Sequence, residues 1–234
     1  MNFHVNTMVS RMAFASLSFF LAMPAGANID VLSNKDMTSG LKLALTRGAE
    51  FAVTQLSQPD GFMGNPQVKI PLPASLQKAD QLARQWGFSR QADDVILSMN
   101  RAAESAVVEA KPLLVNAVKK MTLSDAKEIL SGPDDAATQY FRRVSSEQLA
   151  LKFLPIVKKS TSKLRLADKY NQFAGKAAQF GLLDEKDANL DQYVTQKAID
   201  GLFVMVAEQE KQIRADPLAT GSKLLSKVFG ALIQ

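Results

Sequence analysis

Asn100 and Glu104 lie four apart in residues 94–110 (DVILSMNRAAESAVVEA), where Ile96, Ala103 and Val107 recur at helical spacing. That spacing puts the amide and the carboxylate on one apolar face, able to bond each other or a shared partner, with Arg101 one step aside. A carboxylate on such a face needs a cation or several donors, because an unpaired buried charge costs several kcal/mol or takes up a proton. The group is either a core network that holds helices in register or part of a ligand site. A second constellation, residues 132–143 (GPDDAATQYFRR), gathers Asp134, Asp135, Thr138 and Arg142, with Asp125 shortly before it. Proline and two acids at a helix start suit the macrodipole. Carboxylates alone would favour calcium or magnesium, but the spacing lacks the loop pattern of an EF-hand. Asp200, in the nearly all-apolar stretch 198–207, reads as a second buried acid. Glu210 and Arg214, four apart with the acid first, read as a surface ion pair.

The rest of the inventory narrows the chemistry. The 234 residues contain no cysteine and a single histidine, His4. Arg11, with no acid near it, precedes an apolar run over residues 13–23, and Pro24-Ala25-Gly26-Ala27 supplies the small residues that a signal peptidase reads. The expectation is a cleavable signal over residues 1–27, cut after Ala27, and a single domain over 28–234 in an oxidising compartment, the periplasm of a Gram-negative cell. The run is too short for the roughly 20 residues of a spanning helix. With no cysteine to acylate, a lipoprotein is excluded. Loss of His4 removes the last imidazole, and with it Ser-His-Asp triads, histidine bases and the usual zinc and haem ligands. No phosphate-binding loop or nucleophile elbow is present, and no cofactor or metal is expected.

Charge is unevenly spread. The formal net charge is +5, yet residues 142–169 hold eight basic side chains against Glu147 and Asp168. Within that segment Lys158, Lys159, Lys163, Arg165 and Lys169 would form a cationic strip if the chain is helical there. For an exported chain this suggests weak contact with anionic lipid, or a solvated face, rather than nucleic acid.

The elements that must position these residues read as helices almost throughout. Ser33 or Asp36 is a cap for a first helix bearing Leu41, Leu45, Ala49, Val53 and Leu56. Residues 58–65 (QPDGFMGN) are turn chemistry, and prolines interrupt the brief alternation after Gln67, so at most one or two short strands are expected near residues 67–72. Helical spacing resumes over residues 75–86 and again from Gln91, where Pro112 must kink or restart the helix. Thr122 caps a short helix that Gly132-Pro133 ends. Ser145 with Gln148 and Asn189 with Gln192 both look like capping boxes, Pro155 is a further kink candidate, and Asp216-Pro217 looks like the start of a last helix. The sum is an all-α fold, an irregular bundle of about eight helices.

Taken together, Asp60-Gly61-Phe62, Asn100-Arg101-Ala102-Ala103-Glu104, residues 132–142, Tyr193-Val194-Thr195, Asp200-Gly201-Leu202-Phe203 and Ile213-Arg214-Ala215-Asp216-Pro217 resemble domain-of-unknown-function family 4197, exported bacterial proteins. The resemblance spans nearly all of the chain after the signal and implies an exported helical domain. It carries no catalytic role with it. The ligand-binding candidates are therefore Asn100, Arg101, Glu104, Asp135, Thr138, Arg142 and Asp200. The leading expectation is a non-catalytic periplasmic protein that binds a small or amphipathic ligand, or an envelope protein, where the Asn100 and Gly132 segments meet. The alternatives are a hydrolase or lyase using two of Glu104, Asp135 and Asp200, and a purely structural helical module. A cavity above roughly 300 Å³ lined by the motif residues would favour the ligand.

Overall fold

The Ser33 hydroxyl accepts the Asp36 N–H at 3.0 Å and so opens α1, Asn34–Leu56. The computed structural model describes residues 33–74, 77, 84, 90–162, 189–217 and 222–230. After α1 these residues form α2 (Arg90–Val107), α3 (Ala110–Lys120), α4 (Leu123–Ser131), α5 (Ala136–Thr161), α6 (Leu190–Ala215) and α7 (Lys223–Gly230). They contain no strand, so the fold is all-α, with seven helices where about eight were expected. The helix expected over 75–86 falls largely outside the described residues, as do Lys163, Arg165 and Lys169.

Local chemistry explains most of the boundaries. The chain restarts as α3 at Ala110, leaving Pro112 in the first turn, where a backbone N–H has no intrahelical partner to lose. Thr122 and Asp125 form a reciprocal capping box at α4, and the Thr122 N–H holds the Asp125 carboxyl below the ordinary aspartate range. Asn189 accepts the N–H groups of Asp191 and Gln192 at the start of α6.

Two expected boundaries are displaced. Ser145 starts no helix: it is buried inside α5, and its hydroxyl donates to the Phe141 carbonyl one turn back, which satisfies it without a cap. Pro155, the kink candidate, lies inside α5, and the carbonyl it cannot bond belongs to Leu151, which is 64% exposed. The last helix begins at Lys223 rather than after Asp216, which closes α6 instead.

The core sits between α5 and α6, with Phe62, Phe141, Phe153 and Phe203 fully buried. α2 packs on both of these helices, while α1 lies across α6 and is flanked by α3, α4 and α7. α5 contacts α2, α3, α4 and α6, which explains why its sequence lacks one clean apolar stripe.

Candidate functional site

The polar groups of α2 close a loop. Asn100, fully buried, accepts the Ile70 N–H at 2.9 Å and donates to the Ile70 carbonyl at 2.9 Å and to the Ile96 carbonyl at 2.7 Å. Its amide thus bonds both backbone groups of Ile70, much as a neighbouring strand would. One turn on, Glu104 Oε1 accepts the Phe62 and Met63 N–H groups at 3.2 and 3.4 Å, and Oε2 accepts from Arg101 at 2.7 Å. Arg101 also reaches Asp60 at 2.7 Å. Glu104 first and Asp60 second raise the Arg101 pKa above its ordinary value. Asp60 adopts a left-handed φ of 66°, an uncommon conformation that aspartate tolerates better than most. At Gly61 an added Cβ would stand 2.5 Å from the Gln55 carbonyl oxygen, so the turn admits no side chain there. Gly201 of α6 makes room for the buried Phe62 ring, whose Cε1 is 2.7 Å from where a Cβ would be. Asp60-Gly61-Phe62, Asn100 to Glu104 and Gly201 are thus parts of one clamp.

The second cluster joins the start of α5 to the end of α6. Asp135 occupies the N-cap position but makes no capping bond; it is exposed and accepts from Gln139 at 2.8 Å. The first-turn amides of Ala137 and Thr138 instead donate to the two oxygens of Glu210, each at 2.9 Å, and the Thr138 hydroxyl adds a third bond at 2.9 Å. Glu210 is also held by Arg214 at 2.9 Å, and Arg214 donates in turn to the Ile129 carbonyl at the end of α4. The expected surface pair is therefore buried, its side chains only 5% and 13% exposed. The physical reason is the unfilled helix start, which a carboxylate neutralises and bonds at once.

Arg142 and Asp200 form the third group, paired at 3.1 Å with the guanidinium 4.7 Å from the Phe203 ring centroid. Asp200 was expected to be buried. It is 40% exposed, and it accepts from Gln196 as well. Asn100, Arg101 and Glu104 thus come together, Thr138 joins Glu210, and Arg142 joins Asp200. Glu104, Asp135 and Asp200 each hold separate partners. Among the described residues no group of three acids is placed to hold a metal ion.

Beside this third group a groove of about 740 Å³ runs between α5 and α6. Ala150, Leu151 and Leu154 give its apolar wall, and Tyr193, Thr195 and Asp200 lie opposite on α6. Thr195, which sequence reasoning did not single out as a site residue, is 5% exposed. Its Oγ1 is the one buried side-chain polar atom among the described residues without a hydrogen-bond partner. Its place in Tyr193-Val194-Thr195 was the available signal.

The model of the family described as "Protein of unknown function (DUF4197)" matches residues 31–230. The chain belongs to this family. No curated protein and no solved structure matches it. In this DUF4197 chain the segments that carried the resemblance are therefore the ones that build the loop clamp, the Glu210 cap and one wall of the groove.

Proposed function

We propose that this DUF4197 protein is a non-catalytic periplasmic protein that holds a small or amphipathic ligand in the groove between α5 and α6. The observation that carries the reading is the groove itself: about 740 Å³, inside the range of small-molecule sites, with an apolar wall and Tyr193, Thr195 and Asp200 on the opposite side. The first proposed location, where the Asn100 and Gly132 segments meet, has less to offer a ligand. Asn100 and Glu104 already bond the backbone of the chain, and Thr138 is engaged by Glu210. Of the seven candidate residues, Asp200 lines the groove, and Arg142 stands behind it as its partner.

A carboxylate-dependent hydrolase or lyase would need two of these acids to share one site with unlike environments. Their separate partners argue against that. Lys158 and Lys159, exposed near the end of α5, support a weak contact with anionic lipid that would bring the groove to a source of amphiphiles. Native mass spectrometry of protein purified from the periplasm tests the reading. The wild-type chain should carry an added mass, and Ala150→Trp, which fills the groove, should lose it. An unliganded wild-type spectrum, or an adduct that Ala150→Trp retains, overturns it.

A further inference from the structure

The charged groups along the groove cancel: Glu147 and Asp200 stand against Lys197 and the Arg142 that pairs with Asp200. Its preference is therefore set by charge just beyond the lining. Thr138 bonds Glu210 near one end of the helix pair and Thr161 bonds Asp191 at the other, so α5 and α6 run antiparallel. Gln192 of the groove thus lies level with the end of α5, and Asp200 toward its start.

Lys158 follows Leu151 by seven residues and Leu154 by four, which puts it on the face of the apolar wall, one turn beyond it. Helical side chains lean toward the helix N-terminus, so the Leu154 end of the wall is within its reach. Lys158 is exposed, and among the described residues no acid pairs with it. Asp191, at the same end, is buried and engaged by Thr161. Glu147 lies on the same face eleven residues earlier, about 16 Å along the axis and roughly twice the screening length at physiological salt. A cationic head at the Glu147 end would meet charges that sum to zero. An anionic head at the other end meets the Lys158 ammonium while its chain lies along Leu154, Leu151 and Ala150.

We propose that the groove takes a single-chain amphiphile with an anionic head, a free fatty acid, and that Lys158 is the group that holds its carboxylate. This rests on the groove being a ligand site. A volume of about 740 Å³ is that of a site for one small molecule, which suits one acyl chain rather than the two of a membrane phospholipid. Titration calorimetry of the purified chain at neutral pH, with three twelve-carbon probes below their aggregation concentrations, tests it: dodecanoate, monododecanoylglycerol and dodecyltrimethylammonium. Dodecanoate should bind tightest. Lys158→Gln should weaken it about fivefold, leave the glycerol ester unchanged and melt with wild type, while Lys158→Arg should keep the wild-type affinity. Lys152→Gln, the same loss of charge at an exposed position of α5 outside the groove, should change neither. Tighter binding of another probe, equal effects of Lys158→Gln and Lys152→Gln on dodecanoate, or no binding of any probe overturns the inference. The groove reading survives these outcomes if native spectra still show an adduct that Ala150→Trp loses, and falls with the inference if they do not.

Discussion

Both oxygens of Glu104 are occupied, one by two loop amides and the other by a guanidinium. Replacing this residue with alanine orphans the Phe62 and Met63 amides, whereas Arg101 is 42% exposed and water can take over its side. The expected loss for Glu104→Ala is about 2–3 kcal/mol in urea denaturation, from one buried and one partly buried amide. Glu104→Gln, which keeps a carbonyl acceptor, should lose less. Unchanged stability in both would remove the clamp. That Asn100 and Glu104 are special was legible in the sequence, because polar side chains on an apolar stripe must be satisfied. Their partners were not legible, since the accepting and donating backbone lies 30 to 42 residues away. Glu210 was misread for the same reason: an i,i+4 acid and arginine is a familiar surface pattern, and the helix start that buries it is 73 residues upstream. Beyond its place in Tyr193-Val194-Thr195 nothing marks Thr195, because threonine within a helix ordinarily bonds its own backbone.

Helices were legible wherever their ends carry their own chemistry, as at Ser33, Thr122 and Asn189, and were misplaced where the deciding contact is tertiary. α5 is the clearest case. Its start is capped by another helix and its interior holds Ser145, so the capping signal in its sequence points to a start that packing overrides. The contact between α6 and the loop at 58–72 is similarly tertiary and gives a paired test. At Gly201 an added Cβ meets Phe62 at 2.7 Å and Val68 at 3.2 Å, both buried. Gly201→Ala should therefore destabilise by about 1–2 kcal/mol despite its gain in helix propensity. At Gly48 of α1 the nearest neighbour is Gln209 Cβ at 3.5 Å, an ordinary contact. Gly48→Ala should stabilise by up to about 1 kcal/mol. Denaturation midpoints that move the same way in the two variants would contradict the close approach at Gly201.

For the molecule as a whole, export predicts an intact mass corresponding to a chain that begins at Asn28, measured on protein recovered from the periplasm; retention of His4 or Arg11 would defeat it. No helix among the described residues is long and apolar enough to cross a membrane. The Glu210 cap has a further effect, on the order in which the chain can close during synthesis. Phe62 and Glu104 are 42 residues apart, so both partners of that bond are present before half of the sequence has been made. Ala137 and Thr138 wait 73 and 72 residues for their acceptor. Until residue 210 emerges, α5, which packs on four other helices, has bare amides at its start. A chain interrupted short of that point is left with a frayed centre open to proteases, which makes the C-terminal third of the sequence a built-in check on completeness.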